Sequence, residues 1–146
     1  MVNIKNYEEV FLKDVATIDR AKKGQIYSKG TTIIQVSATK GQVIYLFKDS
    51  EVEPKYACII PNNNVQGYYL FSLIKLKIDQ FMEKNKTGIN IQMNTFDEFP
   101  IKLHDYETQK IIGDVMMKFD SMEVKEKEII SKIKDIKKEN LEKMFI

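Results

Sequence analysis

The chain has 146 residues, 43% of them hydrophobic, which is the length of about one domain with enough apolar side chains for a packed core. Its 23 Lys and Arg residues against 21 Asp and Glu residues give a net charge of only +2, which excludes a grossly basic tail protein. The apolar runs are too short for a membrane span and the N-terminus lacks a signal-peptide block. We therefore expect a cytoplasmic protein without a membrane partner.

The chain contains one cysteine and one histidine, which excludes an internal disulfide and zinc sites that need two histidines. Cys58 lies in the apolar run Tyr56-Ala-Cys-Ile-Ile60 and has no second cysteine to pair with, so we expect a buried structural thiol. His104 has no histidine partner, so zinc sites built on histidine pairs are excluded. We expect no metal and no cofactor.

The first half of the chain predicts strands. Two stretches rich in β-branched and aromatic residues, 31–36 and 42–47, are separated by a predicted turn at 37–41. A third short strand is predicted at 56–60, between two prolines. No acidic residue occurs between Arg20 and Lys48, whereas six basic residues do, so this acid-free segment is the candidate basic face.

A helix follows the strands. Apolar residues recur at separations of three and four from about Gly67 to Lys84, which predicts one buried helical stripe, and the asparagines at 62–64 offer N-cap side chains. Residues 85–88 tolerate the left-handed turn that ends a helix. The alternation of apolar and polar residues over 89–93 predicts a half-buried strand.

The last forty residues contain no proline, a single glycine and equal numbers of acidic and basic residues, which predicts a long solvated helix from about Glu107 to Phe145, capped by Asp105. Its apolar residues follow a period of 3.5, which is typical of a coiled-coil seam. We place the seam, and hence a dimer interface, at Ile112, Val115, Phe119, Met122, Glu126, Ile129, Ile133, Ile136 and Asn140. The alternative is a helix that folds back on its own domain.

Several segments resemble one known family. The tail contains Phe99-Pro-Ile-Lys-Leu103, Glu107-Thr-Gln-Lys-Ile-Ile112, Phe119-Asp120 and a charged helix that ends Ile136-Lys-Lys-Glu-Asn-Leu-Glu-Lys-Met-Phe145. In this order they resemble the conserved-region module of type I restriction-modification DNA specificity (S) subunits. Earlier, Val10-Phe-Leu-Lys-Asp-Val-Ala16 is similar to the family's opening segment before its target recognition domain, and Lys86-Thr-Gly-Ile-Asn-Ile91 resembles its glycine-containing loop before the final strand.

The resemblance implies an α+β fold, with a small mixed α/β target-recognition-like globular domain at 1–104 and a long coiled-coil helix at 105–146. It implies a non-catalytic scaffold, because family members carry two recognition domains and two long helices that pair antiparallel and dock two methyltransferase subunits. A chain with one of each is expected to be a half-size subunit that binds DNA and a methyltransferase (M) subunit. It would pair through its helix with an identical chain or with another S subunit.

Two surfaces are candidates for DNA contact. In the acid-free segment, cations would neutralise phosphates and amide or hydroxyl side chains would meet base edges, whereas Tyr27 would pack on sugars or on the core. The second surface is the loop at 85–90, where lysine and glycine suit a phosphate, although a plain helix C-cap explains it equally well. The candidates are Arg20, Lys22, Lys23, Gln25, Tyr27, Ser28, Lys29, Thr32, Gln35, Ser37, Thr39, Lys40, Gln42, Asn85, Lys86 and Asn90. An ordinary solvated face is the alternative for the acid-free segment.

An enzyme is disfavoured. Asp49 with Glu53-Pro-Lys55 superficially resembles the two acids and lysine of metal-dependent nucleases, but proline stands where a strand hydrogen bond is wanted. We therefore expect a non-catalytic DNA specificity half-subunit that recognises a two-part site. The alternative is an assembly or interaction protein that keeps the helix but does not recognise a DNA sequence. This alternative stays open because the recognition part, 11–103, is shorter than is usual in the family.

Overall fold

The structure, a computed structural model, describes residues 3–36, 42–85 and 91–145. Its contacts divide the chain into two units, Met1–Asp114 and Val115–Ile146. In chain order the elements are β1 (Glu8–Phe11), α1 (Leu12–Val15), β2 (Ala16–Arg20), β3 (Ile26–Tyr27), β4 (Thr32–Gln35), β5 (Val43–Tyr45), β6 (Ser50–Glu51), β7 (Tyr56–Pro61), α2 (Gly67–Asn85), a 3₁₀ helix (Met93–Glu98), β8 (Pro100–Leu103) and α3 (Tyr106–Met144). The α+β class predicted from the sequence is confirmed.

An antiparallel sheet with the strand order β2-β7-β4-β5 forms the centre of the first unit. The strands predicted at 31–36, 42–47 and 56–60 correspond to β4, β5 and β7, so these three predictions are confirmed. The edge strand β2 was not predicted, because its residues mix apolar and charged side chains. β7 lies between β2 and β4, which explains why Ala57, Cys58 and Ile59 are all fully buried.

Side chains on the two faces of the sheet belong to two separate apolar clusters. Ile34 and Ile59 pack in the larger cluster, which includes the stripe of α2 at Leu70, Ile74 and Ile78. On the other face, Ile33 and Cys58 pack with Tyr27 and Leu46 in a smaller cluster. A two-stranded sheet of β3 and β6 supplies Tyr27 to that cluster. Cys58 is therefore a buried structural thiol, as the sequence predicted.

The strand predicted at 89–93 is wrong for the part that the structure describes. Ile91 and Gln92 have no regular structure, and Met93 begins the 3₁₀ helix; residues 89 and 90 lie outside the described part of the chain, as does the predicted turn at 37–41. Ile91 is buried and Met93 half-buried, so the alternation is real, but β8 pairs with β1 and no strand includes Ile91. An alternation of buried and exposed residues forms a β-strand only where a neighbouring strand is available for backbone hydrogen bonds.

The N-cap of α2 is also not where the sequence placed it. The helix begins at Gly67, and the side-chain Oε1 of Gln66 accepts the backbone N–H of Tyr69 at 2.5 Å. The asparagines at 62–64 lie too far upstream to cap this helix. The backbone N–H of Asn62 instead donates to the carbonyl of Val15 at 2.9 Å, which fastens the end of β7 to α1.

The helix α3 begins one residue before the predicted start and ends one residue before the predicted end. Asp105 caps it as predicted, because its Oδ1 accepts the backbone N–H of Thr108 at 2.9 Å and its Oδ2 accepts the Thr108 hydroxyl at 2.8 Å. The sequence divides the chain at 104/105, where α3 starts, whereas the contacts assign the helix as far as Asp114 to the first unit. Within the described residues, no helix combines the length and apolar character needed to cross a membrane.

Candidate functional site

Two tight turns dominate the exposed part of the acid-free segment. In the turn Lys22–Gln25 the N–H of Gln25 donates to the carbonyl of Lys22 at 3.2 Å, and in the turn Ser28–Thr31 the N–H of Thr31 donates to the carbonyl of Ser28 at 3.2 Å. Each has a lysine in its second position and a glycine in its third. Gly24 has φ +82° and Gly30 has φ +96°, conformations that glycine adopts without strain. We name this pair the Lys-Gly turns.

The two Lys-Gly turns flank the short strand β3 and are held by the buried side of the domain. Tyr27, in β3, is buried, and its hydroxyl accepts the backbone N–H of Lys22 at 2.9 Å. In the second turn the N–H of Gly30 donates to the carbonyl of Leu46 at 2.9 Å. A Cβ on Gly67, the first residue of α2, would lie 3.0 Å from the carbonyl oxygen of Gly30. The second turn is therefore packed tightly against the start of α2.

Most of the predicted DNA-contact residues that the structure describes lie on the surface. Exposed side chains belong to Arg20, Lys22, Lys23, Gln25, Ser28, Lys29 and Gln42, and Gln35 is half-buried. Tyr27 belongs to the smaller apolar cluster, which is the core alternative that the sequence left open for it. The prediction for Thr32 needs correction, because Thr32 is fully buried in the central sheet and offers no side chain to a DNA groove. Ser37, Thr39 and Lys40 lie outside the described residues.

The acid-free segment is not free of acidic neighbours in space. Asp49, which follows the segment, accepts the backbone N–H of Lys29 at 2.8 Å through its Oδ1. The neighbouring strand β6 pairs Glu51 with Ile26 of β3. Arg20 is also engaged, since its Nε donates to the carbonyl of Pro54 at 2.8 Å. The exposed cations that the two turns themselves contribute are Lys22, Lys23 and Lys29.

An exposed aromatic residue that sequence reasoning missed lies next to the second Lys-Gly turn. Phe47 was assigned to the predicted strand 42–47, yet β5 ends at Tyr45 and Phe47 is 61% exposed. Its ring stands edge-on to that of Tyr45, with centroids 4.9 Å apart, and lies 6.3 Å from the ring of Tyr68. No periodicity distinguishes it from a core residue. The signal available was its position directly before Lys48 and Asp49, where the apolar run ends.

Asn85, which is the residue of the second candidate surface that the structure describes, lines a cavity of about 740 Å³ in the first unit. The cavity is lined by the C-terminal half of α2, the 3₁₀ helix and the junction of β1 with β8, and its lining residues include Lys77, Lys84, Asn85 and Gln92. The side-chain Nδ2 of Asn85 donates to the carbonyl of Phe81 at 2.8 Å, which is the contact expected of the plain helix-end alternative. Lys86 and Asn90 lie outside the described residues.

The residues of the disfavoured nuclease pattern have separate contacts. Asp49 is bound to the backbone of Lys29, whereas Glu53 and Lys55 form an exposed ion pair at 3.4 Å. Within 3–36, 42–85 and 91–145, no group of three or more His, Cys, Asp or Glu side chains is arranged to hold a metal ion.

The second unit carries the predicted seam. Its six apolar seam residues are 44–62% exposed and are Val115, Phe119, Met122, Ile129, Ile133 and Ile136. The polar seam residues Glu126 and Asn140 are exposed as well. Ile112, the first residue of the seam, belongs to the first unit and is half-buried. Apolar side chains of this number on one helical stripe need cover from another molecule or segment.

The first turns of α3 are anchored in the first unit by buried polar groups. Thr108 and Gln109 are each 2% exposed. The Nε2 of Gln109 donates to the carbonyl of His104 at 2.7 Å, and the His104 ring Nδ1 lies 2.7 Å from the hydroxyl of Tyr69 on α2. The hydroxyl of Tyr69 also donates to the carbonyl of Lys102 at 2.6 Å. Burial raises the pKa of Tyr69, so this hydroxyl keeps its proton at neutral pH.

The family profile described as type I restriction modification DNA specificity domain matches residues 20–135, which is most of the chain. The chain belongs to this family. The match runs through the Lys-Gly turns, the anchor at Gln109 and most of the seam, so the resemblance inferred from the sequence is confirmed.

Solved structures with the same fold include specificity subunits. An S subunit of a type I restriction-modification system from M. genitalium matches with a TM-score of 0.72 and 12% identity over 91% of this chain and 44% of that one. A chain from work on complex assembly and conformational transition of the type I R-M system matches with a TM-score of 0.63 and 13% identity, covering 80% and 38%. The HsdS subunit from Thermoanaerobacter tengcongensis matches with a TM-score of 0.59 and 13% identity, covering 82% and 39%.

This specificity domain therefore spans less than half the length of each of these three chains. A search of curated protein sequences finds no significant relative. At 12–13% identity the solved structures support the fold, whereas the roles of individual residues in the specificity domain rest on its own geometry.

Proposed function

We propose that this specificity domain is a non-catalytic DNA-binding subunit whose Lys-Gly turns contact DNA and whose helical seam pairs with a second copy of the chain. The pair would present two recognition domains and recruit methyltransferase subunits. The observation that supports the proposal is the stripe of six exposed apolar residues in the second unit, because an apolar stripe with this spacing is typical of a helix that packs against a partner helix.

The Lys-Gly turns suit the phosphate backbone. Lys23 and Lys29 each occupy the second position of a tight turn, so their side chains extend from fixed backbone positions, and both are exposed. Gln25 and Ser28 lie at the two ends of β3 between them and are exposed too. Lysines that neutralise phosphates supply affinity and register, while amide and hydroxyl groups supply hydrogen bonds to base edges.

The seam is tested by the mass of the purified chain in solution. We expect a dimer by analytical ultracentrifugation, and we expect the double variant Ile129→Asp/Ile133→Asp to be a monomer because it would bury charges at the contact. Val124→Asp is the matched control, since Val124 is equally exposed but lies outside the seam. A wild-type monomer at tens of micromolar, or an unchanged mass in the double variant, would contradict the seam.

DNA binding is tested with a labelled duplex of random sequence. The variant Lys23→Ala/Lys29→Ala is expected to bind more weakly and to reduce the slope of log K against log salt by about 0.9 for each phosphate that the chain no longer neutralises. Lys134→Ala/Lys138→Ala, which removes two exposed charges from α3 outside the seam, is the control for charge alone. Equal weakening in both variants would contradict a DNA-contact role specific to the Lys-Gly turns.

Recruitment is tested by adding a type I methyltransferase subunit and mapping methylated sites. Methylation of a defined two-part site supports the specificity role. The carboxylates of Asp49 and Glu51 beside β3 favour the assembly or interaction protein as the second candidate, because they reduce the positive charge around the turns. Complex formation with the methyltransferase but without DNA preference would support that candidate.

A further inference from the structure

We infer that Phe47 stacks on a nucleobase when the domain binds DNA, so that an aromatic contact accompanies the phosphate contacts of the Lys-Gly turns. The inference rests on the proposed DNA-binding function and adds to it the class of group that this residue takes. The juxtaposition that carries it is an exposed phenylalanine that packs against Tyr45, is followed directly by Lys48, and lies two residues before Asp49, which is hydrogen-bonded to the backbone of Lys29.

Phe47 is held at a fixed position in the fold. The preceding residue, Leu46, is buried, and it pairs with the second Lys-Gly turn through two backbone hydrogen bonds of 2.9 Å, from Leu46 to Thr31 and from Gly30 to Leu46. Phe47 follows this anchored residue at a bend in the chain, and its side chain is exposed there.

The inner side of the Phe47 ring packs against other aromatic rings. Tyr45 meets its ring edge-on at 4.9 Å, and Tyr45 is in turn packed against Tyr68 at 4.9 Å and Phe71 at 5.6 Å. Tyr68 and Phe71 are buried in α2, so the support is part of the core. The exposed face of Phe47 is thus a rigid platform, and a rigid aromatic ring loses little conformational entropy on contact.

The charges around Phe47 favour a nucleobase over an apolar protein surface. Lys48 follows it directly, and Lys29 is brought close through the hydrogen bond from its N–H to Asp49, two residues beyond Phe47; both lysine side chains are exposed. The Oδ1 of Asp49 is occupied by that bond. A flat apolar surface with negative charge around it is what a base and its phosphates present, and a base stacks on an aromatic ring whatever its sequence.

The chain contains no tryptophan, so Phe47→Trp introduces a single tryptophan at the proposed contact, and its emission is excited selectively at wavelengths that tyrosine does not absorb. The full chain is titrated with two probes, single-stranded oligo(dT) and a duplex of random sequence, and anisotropy of labelled DNA measures binding in parallel. We expect the tryptophan emission to be quenched at the same DNA concentration at which anisotropy rises. Quenching by the duplex indicates insertion at a base step, and quenching by oligo(dT) indicates an unpaired base.

Phe11→Trp is the matched control. Phe11 is also an exposed phenylalanine near a lysine, with Lys13 Nζ 5.6 Å from its ring, but it lines the cavity beside the C-terminal half of α2. Quenching at position 47 without quenching at position 11 supports the inference. Quenching at position 11 alone, or to the same extent at both positions, overturns it, as does bound DNA with no quenching at position 47.

Substitution without a fluorophore gives a second measurement. Phe47→Ala is expected to weaken DNA binding roughly ten-fold, the effect of removing one base stack, whereas Phe47→Tyr retains the ring and is expected to bind as the wild type does. Equal affinities of the alanine and wild-type chains would overturn the inference while the proposed function stands, provided that Lys23→Ala/Lys29→Ala still weakens binding. A wild-type chain that binds neither probe overturns both.

Discussion

Gln109 accepts a hydrogen bond from the backbone N–H of Gln66, with a distance of 3.0 Å between its Oε1 and that nitrogen. Gln66 immediately precedes α2 and Gln109 lies in the first turn of α3, so the starts of both helices are joined by one side chain. The other end of the same amide donates to the carbonyl of His104 at 2.7 Å. Both backbone groups belong to the chain around a helix start, where backbone polar groups lack partners within the helix.

Replacing Gln109 by Leu is expected to destabilise the domain by about 2 kcal/mol, because it leaves the N–H of Gln66 and the carbonyl of His104 without their partner in a buried place. Urea unfolding followed by circular dichroism measures the change. Lys110→Ala, at the exposed neighbouring position, is the control and should be close to the wild type. Equal stability of the Leu variant and the control would show that the amide does not anchor α3.

Replacing Gly113 by Ala is expected to destabilise the domain by about 1 kcal/mol, although alanine normally stabilises a helix interior by about that amount. A Cβ at Gly113 would overlap the side-chain Oε1 of Gln66, which would have to give up its N-cap bond to the N–H of Tyr69. In a Gln66→Ala background the overlap is gone, so Gly113→Ala should become stabilising. Additive effects in this double-mutant cycle would contradict the overlap.

Because Asp105 caps α3, the stability of the fold is expected to vary with pH in the acidic range. Hydrogen bonds from the backbone and the hydroxyl of Thr108 hold the pKa of Asp105 below its usual 3.8. Because the pKa is lower in the folded state, Asp105 stabilises the fold above pH 3.8, and this contribution is lost as the pH falls through the lowered folded value. Asp105→Ala should therefore lower the melting temperature at pH 7 and converge on the wild type in acid.

The control for that measurement is Asp114→Ala, which removes the same charge from an exposed position of the same helix. Its difference from the wild type should be smaller at neutral pH. A difference between wild type and Asp105→Ala that stays constant from pH 7 to the acid limit of folding would show that the carboxylate does not act through its charge.

The thiol of Cys58 is expected to resist alkylation in the folded chain. Burial, and then the nearby charge of Asp19, raise its pKa from 9.0 to about 11. The higher pKa lowers the thiolate fraction at pH 8 about a hundred-fold, and burial keeps reagents from the sulfur, so alkylation by iodoacetamide should be much slower in the folded chain than in urea. Ser121→Cys in a Cys58→Ser chain is the exposed control; comparable rates at the two positions would argue against burial of Cys58.

The sequence determined the elements whose signals are local. The strands β4 and β5 are predicted by their β-branched and aromatic residues, and β7 by a short apolar run between two prolines. The helices α2 and α3 are predicted because their apolar residues repeat at helical spacing over many turns. Asp105 is the nearest residue with a good N-cap side chain before the apolar repeat of α3, and it caps the helix. For α2 the nearest polar residue was also the right one, Gln66, but the asparagines upstream carry the stronger statistical preference and misled the prediction.

Tertiary structure alone decided which polar and aromatic residues reach the surface. Thr32 and Gln35 lie in the same predicted strand, yet Thr32 is enclosed by neighbouring strands and Gln35 is half-buried. Tyr27 is drawn into the smaller cluster by the pairing of β3 with β6, and that pairing brings Glu51 beside a segment that has no acids of its own. Exposure and electrostatic neighbourhood depend on contacts between residues far apart in the chain, and periodicity contains no information about them.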